Sequence, residues 1–145
     1  MEIPGGFTRY EASTFAVTVG PLYLNDTGEV PRLALLAGPH HLNTMHNVHG
    51  GVLLSLVDTA LGHYAKSLLP EGSLAVTVDL QATFMVGVSE GQWVEVTPSL
   101  DRLGRSMAFL AGMVRADGQI VAKANGSFFL HRRRNEGIDR DAKDN

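Results

Sequence analysis

From Gly50 to Leu69 the chain is apolar at Leu53, Leu56, Val57, Ala60, Leu61, Tyr64 and Leu68. Spacings of three and four residues put these side chains on one face of a helix, and Pro70 with Gly72 ends it. At ~1.5 Å per residue such a helix runs roughly 30 Å, enough to cross a small domain. After it the period changes to two. In LAVTVDLQATFMV, Val76, Val78, Leu80, Ala82 and Phe84 alternate with Thr77, Asp79, Gln81 and Thr83, the pattern of a half-buried strand. GQWVEVTPSL, RSMAFLAGMVRA and QIVAKANGSFFL follow as further strands, the last two joined by an Asp117-Gly118 hairpin signal. Upstream, STFAVTVG (13–20) and RLALLAG (32–38) read as short strands, and PHHLNTMHNV (39–48) reads as a polar loop. The pattern predicts an α+β fold, with one long buried helix against an antiparallel sheet of about five to six strands.

Length and composition narrow the picture. A chain of 145 residues, 44% hydrophobic and 19% charged, suits a single globular domain with a real core. We assign that domain to residues 1–134. The charged stretch 135–145 lacks any apolar period and reads as a disordered tail. No apolar run approaches the ~18 residues of a membrane span, and the start MEIPGGF lacks the features of a signal peptide. The reading is therefore cytoplasmic, without a membrane partner. With no cysteine, disulfides, thiolate nucleophiles and thiolate metal sites are excluded.

The formal charge of −3 is unevenly spread. Residues 1–100 carry nine acids against three bases, and residues 101–134 carry seven bases against two acids. A basic stretch in an acidic protein suits either an anionic ligand or the simple solubility of exposed strand faces. Nucleic acid is not expected, because the domain is not basic as a whole.

The helix carries the candidate chemistry. Opposite its core face runs a stripe of small residues, Gly51, Ser55 and Gly62, interrupted by Asp58. Small side chains admit a close neighbour, a second subunit or a slender ligand. A carboxylate flanked by Leu54 and Leu61 would be partly withdrawn from water, a setting used for proton transfer or nucleophilic attack. It would equally serve as a satisfied structural acid. At the helix start, His49-Gly50-Gly51 leaves backbone N–H groups open at the positive end of the helix dipole, and such donors stabilise developing oxyanions. His40, His41, His46 and His49 show no recognised metal-ligand spacing. They read as solvated loop residues, or as one orienting histidine, with no metal. Phe84, Met85, Met107 and Phe109 suit either a pocket lining or the core, and the pattern favours the core.

NTMHNVHGGVLLSLVDTALG, followed by LAVTVDLQATFM, resembles the hotdog-fold acyl-CoA thioesterases, closest to the phenylacetic-acid-degradation type within the 4-hydroxybenzoyl-CoA thioesterase superfamily. The resemblance spans roughly residues 30–130. It implies a long helix wrapped by a curved antiparallel sheet, and dimers with active sites at the subunit interface, commonly paired into homotetramers. By the same resemblance, the Gly50 N–H polarises the thioester carbonyl and Asn43 shares that task. Asp58 comes from the partner subunit as general base or nucleophile, Thr77 helps hold the water, and His49 orients the loop. His46 stands where many relatives have glycine. Thr77 falls on the polar face of its strand by pattern, so its inclusion rests on the resemblance alone. The substrate implied is an acyl-CoA, with no other cofactor, and Arg102 and Arg105 are candidates for the CoA phosphates, with the Arg132–Arg134 run behind them. A carrier-protein thioester, a non-catalytic acyl-CoA-binding module and a hotdog hydratase or dehydratase remain as alternatives.

Overall fold

The computed structural model describes residues 1–134, so the predicted tail from residue 135 lies outside the described residues. The elements are β1 (Thr8–Tyr10), α1 (Thr14–Val19), β2 (Leu22–Asn25), β3 (Arg32–Leu36), a 3-10 turn (Pro39–His41), α2 (Gly50–Ser67), β4 (Leu74–Phe84), β5 (Trp93–Leu103), β6 (Met107–Ala116) and β7 (Gln119–His131). Seven strands form one antiparallel sheet in the order β1-β2-β3-β5-β6-β7-β4. The sheet is unclosed, with β1 and β4 as its edges, and its count exceeds the expected five to six.

Helix α2 lies in the concave side of this sheet. Leu53, Leu56, Val57, Ala60 and Leu61 are buried as the spacing predicts, and Ala65 and Leu69 complete the face, while Tyr64 packs against the core only partly. Leu68 is the half-buried C-cap rather than a core residue. The inward residues of the strands, among them Leu33, Leu35, Val94, Val96, Leu110, Val114 and Phe128, close the core from the other side. Gly112 lets the helix sit close: a Cβ there would stand 3.3 Å from Leu61 Cδ2.

Two features depart from the sequence expectation. Residues Thr14–Val19 form a helix where alternation suggested a strand, capped by the Ser13 hydroxyl accepting from the Ala16 N–H. The second concerns β4, where the register against β7 shifts between Thr77 and Asp79. A bulge of this kind inserts one residue and reverses which face later side chains point to. Further shifts in β5–β6 and β6–β7 accompany the curvature of the sheet. Val76 and Val78 on β4 are 53% and 61% exposed, so the strand is less buried than its alternation implies.

Candidate active site

The loop before α2 is folded around Asn43. Its Oδ1 accepts from the Met45 N–H (2.9 Å) and the Asn47 N–H (3.1 Å), and its carbonyl accepts from the His46 N–H (3.0 Å). Two backbone donors on Oδ1 fix the orientation of the amide and leave Nδ2 as its donor end. His46 takes φ +61 in this turn, the left-handed conformation that explains glycine at this position and that histidine tolerates better than most residues.

His49 caps α2: its Nδ1 accepts from the Gly51 N–H at 2.8 Å. The sequence reading left both glycine N–H groups open. The structure occupies that of Gly51, and the Gly50 N–H has no partner among the described residues. Gly50 and Asn43 border one shallow depression of about 290 Å³, with Met45, Leu53, Phe84 and Met85 as apolar walls. Phe84 and Met85 are thus exposed lining, and Phe109 is 40% exposed, against the expectation that this group is core.

Asp58 sits eight residues further along α2, about 12 Å by helical rise. It is half-exposed, and the Thr77 hydroxyl donates to its Oδ1 at 2.6 Å. Thr77 therefore faces the helix, contrary to its polar-face assignment, because the β4 bulge lies just beyond it. Asp58 and Thr77 open into a second cleft of about 970 Å³ that, among the described residues, shares no lining residue with the first. In a single chain the structure brings Asn43 together with Gly50, and Asp58 together with Thr77, but not the two pairs with each other.

The second cleft contains residues the sequence reading passed over. Lys66 continues the Asp58–Gly62 spacing by one more turn, a signal that was available in the helix itself. His63 packs edge-on against Tyr10, with ring centroids 5.6 Å apart. Burial chiefly pushes the His63 pKa down, nearby Lys66 adds to this, and Asp26 opposes it. Burial also raises the Tyr10 pKa.

Of the predicted basic residues, Arg133 borders this cleft. Its backbone N–H donates to the buried Ser73 hydroxyl at 2.9 Å, and its side chain lies over Gly72, where a Cβ would come within 2.8 Å of Cδ. Arg102, near the end of β5, and Arg105, in the β5–β6 turn, are both exposed and do not line it. Arg132 is committed to that turn, donating from Nε to the Arg105 carbonyl and from Nη2 to the Gly104 carbonyl, both at 3.0 Å.

His40 and His41 are structural. His41 is buried, with Nδ1 accepting from the Gly38 N–H (2.9 Å) and Nε2 donating to the Val19 carbonyl (2.6 Å). His40 Nε2 donates to the Gly20 carbonyl at 2.8 Å. His41 thus departs from the reading of the loop histidines as solvated. Burial chiefly lowers its pKa. Among the described residues no cluster of three or more histidine or acidic side chains is placed to hold a metal. No helix among them is long and apolar enough to cross a membrane.

Comparison with known proteins follows the same lines. The model of the Thioesterase superfamily matches residues 45–123, a span that runs from the loop before α2 to the middle of β7. A Pseudomonas aeruginosa protein that carries an esterase name is 31% identical over 132 residues, covering 90% of this chain and 98% of that one. A Bacillus halodurans protein solved with CoA is 32% identical with a TM-score of 0.65, over 68% of this chain and 66% of that one. A phenylacetic acid degradation protein of Thermus thermophilus shares the fold, with a TM-score of 0.73 at 24% identity over 83% of this chain and all (100%) of that one.

Proposed function

For a chain that belongs to the Thioesterase superfamily, we propose the activity of an acyl-CoA thioesterase, hydrolysing the thioester to a carboxylic acid and free CoA. The observation that carries this reading is the Asp58–Thr77 hydrogen bond beside a cleft. Thr77 occupies one carboxylate oxygen and holds the group in place, leaving Oδ2 to accept a proton from water. Asp58 acts as general base: water attacks the thioester carbonyl as its proton passes to Oδ2. The Gly50 N–H and Asn43 Nδ2 hold the developing oxyanion, worth about 3–4 kcal/mol per well-placed donor in comparable sites. Collapse of the tetrahedral intermediate expels the CoA thiolate. His49 contributes by capping the helix and keeping the Gly51 N–H out of competition.

A subunit interface supplies what one chain lacks. The two half-sites open into separate depressions, so one thioester meets both only when a second copy brings its Asp58 to this chain's Gly50. The long exposed edge strand β4, with Leu74, Val76 and Val78 at 52–61% exposure, offers a surface for such pairing. CoA as ligand is supported by the CoA-bound Bacillus halodurans relative. Lys66 and Arg133 on the cleft receive its phosphates, with Arg102 and Arg105 as more distant cations. Within the family we place the chain with the phenylacetic-acid-degradation type, as a cytoplasmic homotetramer built from such dimers, with residues 1–134 as its one domain.

The test is thiol release from a panel of acyl-CoAs by the wild type and Asp58→Asn. A wild-type rate that falls at least ~100-fold in the variant is expected. No thiol from any member of the panel, with ligand binding intact, would leave a binding module or a hydratase in its place.

A further inference from the structure

Among the described residues three polar side chains are buried: Asn25, His41 and Ser73. Of these only His41 titrates, and hydrolysis by Asp58, Gly50 and Asn43 gives it no part. Burying an imidazole costs free energy unless its ring nitrogens find partners, and here both do. Nδ1 accepts from the Gly38 N–H at 2.9 Å, so Nε2 carries the proton and donates to the Val19 carbonyl at 2.6 Å. A third bond leaves from the backbone: the His41 carbonyl accepts from the His49 N–H at 2.8 Å. One residue thus joins the end of α1, the start of the 3-10 turn and the N-cap of α2.

This junction holds the loop that carries Asn43. The two oxyanion donors are placed in different ways. Gly50 is the first residue of α2, and the helix is fixed by its buried face from Leu53 onward. Asn43 lies on a loop in which residues 43–47 are all exposed or half-buried, so no side chain there anchors it in the core. The Asn43 N–H donates to the Asn47 carbonyl at 2.7 Å, which fixes the shape of the loop but not its place. Its place comes from the two flanks. Downstream, Val48 is buried and its N–H donates to the Val88 carbonyl at 2.7 Å. Upstream, Leu42 is only partly buried, and the buried side chain is that of His41. Two directional bonds fix the orientation of this flank as well as its depth, which an apolar side chain would not.

Resting on the thioesterase reading, we propose that His41 is a positioning residue of the oxyanion site: it acts through Asn43, setting the place of the Asn43 amide relative to the Gly50 N–H, without touching the substrate. Loss of the Val19 anchor lets the upstream flank shift, and the amide moves off the developing charge while Gly50 stays with its helix.

The test is a pair of double-mutant cycles read by steady-state thiol release, at a temperature well below the melting midpoint of every variant. His41→Leu removes both ring bonds. A misplacement of about 1 Å can cost a catalytic group about 100-fold, so kcat is expected to fall about 10–100-fold with KM nearly unchanged. His41→Gln, which can still donate to the Val19 carbonyl, should recover most of the loss. In an Asn43→Ala background the displaced amide is already gone, and His41→Leu should cost less than about threefold. In a Thr77→Val background, which weakens the hold on the base and leaves the amide in place, it should cost its full factor. A fall in the folded fraction would scale every background alike, so the comparison separates positioning from stability. His41→Asn, which reaches Gly38 but stops short of Val19, carries the cycles where His41→Leu does not fold. Equal losses in the two backgrounds, a His41→Gln as impaired as His41→Leu, or an Asn43→Ala enzyme as fast as the wild type would each overturn the assignment while leaving the thioesterase reading intact. A wild type that releases no thiol from any acyl-CoA would overturn both.

Discussion

At the scale of single residues, the candidate site depends on a hydroxyl and a carboxylate 2.6 Å apart. If Thr77 acts by holding Asp58, its loss should slow turnover and leave substrate binding alone. Thr77→Val keeps the shape and removes the donor, and we expect kcat to fall about 10–100-fold with KM nearly unchanged, the signature of an interaction made in the transition state. Thr77→Ser, which keeps the hydroxyl, should retain most of the activity. Steady-state kinetics on the three proteins decides the point; equal losses in both variants would show that Thr77 serves only packing. The place of Asp58 on the small-residue stripe of α2 and of Gly50 at the helix start was legible from spacing, whereas Asn43 entered only through the family resemblance. The direction of Thr77 was not legible, because a single inserted residue reverses a strand's faces and alternation alone does not show where it falls. The cap from His49 was equally hidden, since imidazole is not among the usual capping groups.

At the scale of elements, α2 and strands β3 to β7 followed from periodicity, and α1 did not. Its sequence TFAVTV is β-branched at four of six positions and reads as strand. It is held helical from a distance: the His41 and His40 side chains donate to the carbonyls of Val19 and Gly20 at its C-terminal end. Those partners are about twenty residues away, and local propensity carries no trace of them. His41→Leu would strand the buried Gly38 N–H and the Val19 carbonyl, at a cost of about 1–3 kcal/mol for each group left unsatisfied. The same residue gives the fold a pH dependence. Its pKa in the folded state lies below the usual imidazole value of 6.5, so below that value the unfolded chain binds more protons than the folded one. Stability contributed by neutral His41 is therefore fully present above pH 6.5 and declines as the pH falls toward the folded-state pKa. His63 shifts in the same direction and adds to the slope. Denaturant titrations at pH 8, 6.5 and 5.5 should show a decline for the wild type and a smaller one for His41→Gln. Parallel slopes for the two would remove His41 from the account.

At the scale of the whole molecule, the separation of the two half-sites makes a prediction that neither half makes alone. Asp58→Asn lacks the base but keeps its Asn43 and Gly50; Asn43→Ala lacks a carbonyl donor but keeps its Asp58. If each active site draws its base from one subunit and its oxyanion donors from the other, a hybrid dimer of the two inactive proteins contains one fully intact site and one doubly defective site. Random exchange of subunits makes half the dimers hybrid, so the mixture should recover about a quarter of wild-type thiol release. Sites completed within one chain would recover nothing, since every chain in the mixture carries a lesion. The experiment depends on exchange at the interface, and the structure suggests where to weaken it. Leu74, Val76 and Val78 lie exposed on the edge strand, Val76 and Val78 on either side of Thr77 and Leu74 at the rim of the Asp58 cleft. A charge introduced as Val78→Lys on this edge should lower dimer affinity, making activity depend on protein concentration while leaving the fold of each chain in place. Recovery in the mixed sample, together with concentration-dependent activity of the edge variant, would tie catalysis to the pairing of two copies; activity that is independent of concentration in a demonstrably monomeric edge variant would break that tie.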